Sequence, residues 1–189
     1  MSNLPHVTDI LSRAGLVDAS WFTEYARDRG TALHEAAAFL DANDLDWESV
    51  DPSVLPRLRQ YQRFLEEVKP EILSIEEPVE NLALRYCGKL DRRMVINGRE
   101  GVLDIKGPSR CPWHALQTMY YVSCFSRPLA RWALYLSDDQ YRLVEFASRD
   151  DWPMCKAVLT MLAWRERHDP KNVLPVREEI PDRSRAAQI

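Results

Sequence analysis

The 189-residue chain has no apolar run near the roughly 20 residues needed to cross a bilayer. Its first residues, MSNLPHVTDI, lack the basic and apolar regions of a signal peptide, so neither membrane spanning nor Sec-type export is expected. Cysteine is scarce. Cys87, Cys111, Cys124 and Cys155 stand far apart with no C-x-x-C pair. That argues against a disulfide framework or zinc ribbon and for reduced cytosolic thiols. Positive charge is not in excess either. Lys and Arg number 25 against 29 Asp and Glu, a net charge of −4, which argues against a polycation that coats nucleic acid without selectivity. Internal repeats and low-complexity tracts are missing too.

What is present is ordinary for a soluble globular domain. Hydrophobic residues make up 46% and charged residues 29%, enough to bury a core without metal or disulfide staples. The charge is unevenly placed. Residues 41–51 carry Asp41, Asp44, Asp46, Glu48 and Asp51 with no basic side chain, most simply a solvated loop. Residues 85–110 carry seven basic side chains against Asp91, Glu100 and Asp104, so an anionic partner is expected to meet the protein there.

The first third reads as helical. Thr8 or Asp9 suits the cap of a short turn through Leu11. Trp21 to Arg27 and Thr31 to Leu40 are rich in helix formers, with Gly30 as punctuation. Leu58, Tyr61, Phe64, Leu65 and Val68 recur at helical spacing until Pro70. Then the pattern changes: 72–79, 82–96 and 100–107 read as strands, with Asn97-Gly98 as a hairpin turn between the last two. A helix over 112–125, a second hairpin of 131–136 and 141–146, and a helix over 152–165 follow. The expected fold is α/β or α+β, a mixed central sheet flanked by helices. One domain is expected: a helical part over 1–70, a sheet core over 71–168 and a polar tail over 169–189.

Asp104 and Lys106 sit two apart on a predicted strand and share one face, while Leu103 and Ile105 turn to the other. Alone, such a pair reads most simply as a structural ion pair at a strand end. The hairpin adds to it. A two-residue turn at Asn97-Gly98 makes paired residue numbers sum to 195, which sets Asp91 opposite Asp104. A bulge at Gly101 would shift that register. Facing carboxylates repel unless Lys106, Arg93 or a divalent cation compensates them, and two carboxylates with a lysine suit Mg²⁺ or Mn²⁺. His34 follows Arg29-Gly30-Thr31 early in a helix whose N-terminus could face an anion; the alternative is a structural histidine. Gln117 and Tyr121 share a helical face, and Glu76, in a strand of alternating character, is ambiguous, a solvent-facing charge being its simplest reading.

In order, the chain shows R-G-T-x-x-H (29–34), E-x-P-V (76–79), G-x-x-D (88–91), D-I-K (104–106) and Q-x-x-x-Y (117–121). This resembles the PD-(D/E)xK nuclease superfamily, in its RecB-like branch of phage and prophage exonucleases, and the N-terminal stretch is similar to phage-type members. The resemblance implies a restriction-endonuclease-like core. It implies His34, Asp91, Asp104 and the Ile105 carbonyl as metal ligands, Lys106 as the residue that orients the attacking water, and Glu76 as an accessory acid. Arg29, Thr31, Gln117 and Tyr121 would shape the site or contact DNA. Mg²⁺ or Mn²⁺ is the implied cofactor, and DNA, with a single-strand-binding or annealing protein, the implied partner. The implied compartment is the cytosol of a bacterium or phage-infected host. Gly107-Pro108 departs from the Thr-Gly that follows the lysine in many relatives. No cysteine precedes Cys87, so the iron–sulfur cluster of some relatives is not expected. The alternatives are a non-catalytic DNA-binding or assembly module on the same fold, and a structure-specific endonuclease.

Overall fold

A five-stranded sheet organises the chain, and the computed structural model describes residues 4–17 and 23–169 of it. The element order is α1 (Val7–Arg13), α2 (Glu24–Asp41), α3 (Leu55–Val68), β1 (Glu71–Asn81), β2 (Tyr86–Ile96), β3 (Arg99–Lys106), α4 (Trp113–Val122), β4 (Ala130–Leu136), β5 (Tyr141–Glu145) and α5 (Asp151–Arg167). The strands lie side by side in chain order. All neighbours are antiparallel except β3 and β4, which pair parallel with Asp104 beside Ala133. A parallel pair needs a crossover, and α4 supplies it. The fold is thus α+β, an open mixed sheet flanked by five helices, as the element pattern led one to expect.

Two apolar layers clamp the sheet. Leu33 and Ala37 of α2 and Leu58, Tyr61 and Phe64 of α3 pack on Met94, Leu103, Ile105 and Leu134. On the other face, Ile10 and Leu11 of α1, Leu116 and Tyr120 of α4 and Val158 of α5 pack on Val79, Leu90 and Val102. The alternation of β3 follows the sequence: Leu103 and Ile105 join the first layer, Val102 the second. The face shared by Asp104 and Lys106 is therefore not open, because the α4 layer covers it and leaves Asp104 2% exposed.

The hairpin forms as its turn dictates. Asn97 and Gly98 both take positive φ, 51° and 73°, the type I′ geometry. Pairs run from Ile96 with Arg99 to Arg92 with Leu103 without a shift. Gly101 hosts no bulge. Its missing side chain instead admits β4, since a Cβ there would lie 2.4 Å from the Trp132 ring and 2.5 Å from the Ala130 carbonyl. The register of the β1–β2 pairing shifts between Ile72 and Ser74.

Two local expectations fail. Thr8 and Asp9 do not cap α1; the helix starts at Val7 after His6, which makes no side-chain cap. Gly30 does not divide α2. One helix runs through it, started by Thr23, whose hydroxyl accepts the Ala26 amide. A helical glycine costs about 1 kcal/mol against alanine, too little to break an 18-residue helix docked by Leu33 and Ala37. Trp21 and Phe22, placed in the first of those expected segments, lie outside the described residues, as does the tail beyond Asp169.

Candidate metal centre

Glu76 sits in β1 with φ +50°, a left-handed backbone that a residue other than glycine adopts at a cost of about 1–3 kcal/mol. Beside it, β2 changes phase. Gly88 faces α4 and α1, where a Cβ would meet the Tyr121 ring at 2.7 Å, and Leu90 joins the same layer. Arg92 and Met94, with the same parity, face α2 and α3 instead. Ile75 pairs with Arg92 and Glu77 with Leu90, so Glu76 and Asp91 stand opposite each other at the switch. That irregularity turns both carboxylates toward one cleft.

The cleft, about 1090 Å³, is lined by residues of α1, α2, α4 and the first three strands, His34, Glu76, Lys89, Asp91, Lys106 and Gln117 among them. His34, Glu76 and Asp91 can each place one ligand atom within 4.8 Å of the others. His34 Nδ1 lies 3.3 Å from Asp91 Oδ1, and Asp91 Oδ2 accepts the Ile105 amide at 2.6 Å. An extended residue turns its N–H and C=O to the same edge, so the Ile105 carbonyl also faces that side of the strand. Asp104 lies outside the close trio; its Oδ2 is 2.7 Å from Lys106 Nζ. Lys106 Nζ in turn stands 5.3 Å from the centre of the Trp113 ring.

The electrostatics follow from burial. Desolvation pushes Asp104 up to about 6; Lys106 opposes this and Asp91 reinforces it. The same desolvation acts on Asp91, yet His34, Lys106 and the Ile105 amide hold that carboxyl below the ordinary range. Burial disfavours a charged His34, but the Asp91 carboxylate overcomes it and raises the imidazole. Two neighbouring carboxyls are thus driven apart.

The remaining expected residues are distributed unevenly. Gln117 Nε2 donates to Tyr121 Oη at 3.0 Å, and the buried Gln117 Oε1 makes no hydrogen bond. Thr31 lines the cleft, but its hydroxyl donates to the Arg27 carbonyl. Arg29 does not line the cleft and stacks over Tyr25, 5.8 Å from the ring centre. His34 is mid-helix, ten residues beyond the first residue of α2, so the helix N-terminus cannot be what places an anion beside it.

Most of the basic stretch is not a free anion-binding surface. Lys89, Arg92, Arg93, Arg99 and Lys106 are all paired with carboxylates. Nor is Asp41 part of a solvated loop. Its side chain is wholly buried, bound by the equally buried Arg92 and by the Tyr61 hydroxyl. Asp41, Lys89 and Arg92 form the support of the site that sequence reasoning missed. The available signal was Arg92 itself, an arginine set between Leu90 and Met94 in a strand of apolar alternation.

No family model and no curated protein matches the chain. The crystal structure of SSO0001 is similar at a TM-score of 0.37 and 16% identity, over 78% of this chain and 82% of that one, a likeness that carries no functional argument.

Proposed function

We propose that the protein is a divalent-metal-dependent deoxyribonuclease that hydrolyses phosphodiester bonds, with exonuclease action favoured by the resemblance of its motifs. One observation carries the reading. His34 from α2, Glu76 from β1 and Asp91 from β2 converge beside the Asp104–Lys106 pair of β3 on one cleft. Oxygen donors with one imidazole suit Mg²⁺ or Mn²⁺, so the residues fit the ion that the motifs imply. His34, Glu76 and Asp91 would hold it, and the ion supplies Lewis-acid charge toward the scissile phosphate when bound.

The chain's own groups do the rest. His34 and the Ile105 amide fix both Asp91 oxygens, which keeps that carboxylate ionised and oriented. Lys106 reaches the cleft with its ammonium steadied by Asp104 and stands where it can position a water and offset charge developing on phosphate. Gln117 offers an unpaired, buried amide oxygen at the α4 wall. In this reading DNA is the macromolecular partner, a single-strand-binding or annealing protein a further one, and the cytosol of a bacterium or phage-infected host the compartment. No described helix is long and apolar enough to cross a membrane.

The test is hydrolysis of linear duplex and single-stranded DNA labelled at either end, beside a covalently closed circle, with and without Mg²⁺ or Mn²⁺. Metal-dependent release of 5′-phosphorylated products from ends is expected. Nicking of the circle with no preference for linear DNA would move the assignment to an endonuclease. Binding of DNA without hydrolysis of any substrate would leave the non-catalytic module.

A further inference from the structure

Glu76 is gripped by two cations of different mobility. Arg92 Nη1 lies 3.3 Å from Glu76 Oε1. That guanidinium is wholly buried, bound to Asp41 and seated against Tyr61, 6.0 Å from its ring centre. It cannot leave without opening the α2–α3 layer. Lys89 Nζ lies 2.5 Å from Glu76 Oε2, and its side chain is 59% exposed on the cleft wall. One oxygen of Glu76 therefore faces a fixed, buried guanidinium, and the other is held by a flexible ammonium.

An ammonium and a divalent cation on the same carboxylate oxygen repel each other. An ion that takes Oε2 of Glu76 as a ligand competes with Lys89 for that oxygen, and of the two partners of Glu76 Lys89 is the one free to move. Its flexible four-carbon stem then carries a released positive charge along the rim of the cleft. We propose that Lys89 is a placeholder: it neutralises Glu76 in the metal-free protein, yields to the ion, and then contacts a phosphate of the nucleic acid. The inference rests on the nuclease reading above. It also accounts for how an acidic chain, with five of the seven basic side chains of 85–110 in ion pairs, offers a cation to DNA. The cation becomes available only after the metal has bound, which orders the two events.

The test compares the parent with Lys89→Met and Lys89→Arg, with circular dichroism to establish that each is folded. Mn²⁺ affinity is read by calorimetry, with no nucleic acid present. Binding of a fluorescein-labelled single-stranded DNA oligonucleotide is read by anisotropy against salt, on a Lys106→Met background in all arms so that the probe survives. Lys89→Met should bind Mn²⁺ several-fold more tightly than the parent, and Lys89→Arg should not. With Mn²⁺ present, Lys89→Met should lose about 0.7 from the slope of log affinity against log salt, the contribution of one single-strand phosphate contact. Without Mn²⁺ its slope should equal the parent's. Equal or weaker Mn²⁺ affinity in Lys89→Met overturns the placeholder. Tighter Mn²⁺ binding with an unchanged slope, or no oligonucleotide binding at all, overturns the phosphate contact. Absence of any Mn²⁺ binding by the parent sinks the metal reading and this inference together. A parent that binds Mn²⁺ but hydrolyses nothing sinks the nuclease reading alone, and calorimetry still decides the placeholder.

Discussion

Asp91 takes the place of a backbone carbonyl: its Oδ2 accepts the Ile105 amide at 2.6 Å. Regular continuation of the hairpin would direct that amide to Leu90, but the last regular pair is Arg92 with Leu103. The strands therefore part where the two aspartates sit, and a side chain fills the gap. Such an arrangement satisfies a buried N–H and fixes the rotamer of a carboxylate in one stroke.

The first prediction follows from that bond. Asp91→Asn keeps an oxygen for Ile105 but removes the charge that faces His34. The variant should fold, as read by circular dichroism, yet lose most of the rise in melting temperature that Mn²⁺ gives the parent. Asp104→Asn should lose less of it, because Asp104 stands outside the close trio and is already neutralised by Lys106. A larger loss in Asp104→Asn than in Asp91→Asn would reassign the ligands.

Lys106→Met tests the division of labour between lysine and carboxylates. Turnover on end-labelled DNA should fall by about 10²–10³, the scale of removing one positioned electrostatic group. Mn²⁺ binding by calorimetry should persist. Near-parent cleavage by the variant would remove Lys106 from the chemistry.

The Arg92–Asp41 pair should behave as a buried ion pair. Arg92→Met leaves Asp41 without its charge partner inside the α2–α3 layer and should cost about 3–5 kcal/mol in urea denaturation. Arg92→Met with Asp41→Leu should recover most of that loss, because both charges are gone. The double variant should still bind Mn²⁺ more weakly than the parent, since Arg92 also holds Glu76. Full recovery of both properties would reduce Arg92 to a structural group.

Much of this frame is legible in local chemistry. Asn97-Gly98 specifies a turn with φ > 0 at both centres, and the turn alone sets the register from Ile96–Arg99 to Arg92–Leu103, although the strands part before the expected pairing of Asp91 with Asp104. Alternation in 102–106 assigns both faces of β3. What is not legible depends on contacts distant in sequence. The left-handed Glu76 and the phase change in β2 are consequences of packing against Arg92 and α4, and no dipeptide there announces them. Asp41 reads as one of several acids in a loop because its partners, Tyr61 and Arg92, lie 20 and 51 residues away. Gly30 misleads for a related reason: local propensity marks a break, and the tertiary docking of Leu33 and Ala37 overrides it.

Gly101 should tolerate no side chain. The Cβ of Gly101→Ala would approach the Trp132 ring and the Ala130 backbone below contact distance, and a backbone carbonyl cannot swing away. The parallel β3–β4 pair should be forced apart at a cost of about 1–3 kcal/mol or more, read as a lowered midpoint in urea. Gly98→Ala should also destabilise, but through its φ of +73° rather than through any clash.

His114 provides a pH-dependent term that can be separated from the carboxylates of the site. It is 4% exposed, and its Nδ1 accepts the Cys111 amide at 3.4 Å while Tyr135 Oη stands 2.9 Å away. The donated amide makes Nδ1 an acceptor, so the tyrosine hydroxyl donates to it and the neutral ring is the form that fits. Burial, with Lys106 and Arg110 adding to it, pushes the imidazole from 6.5 down to about 3. Between those values the unfolded chain takes up a proton that the folded chain refuses, so acidification favours unfolding. Each pH unit within that window should cost about 1.4 kcal/mol. The raised Asp41 and Asp104 act in the opposite sense, because their folded forms bind protons more readily. Only a difference between variants therefore isolates the histidine. His114→Asn retains an acceptor near the position of Nδ1 but does not titrate. Urea midpoints measured from about pH 7 to about pH 4.5 should fall more steeply for the parent than for His114→Asn. Parallel pH profiles would mean that His114 is protonated in the folded protein, and that the Cys111 and Tyr135 bonds do not hold the neutral ring.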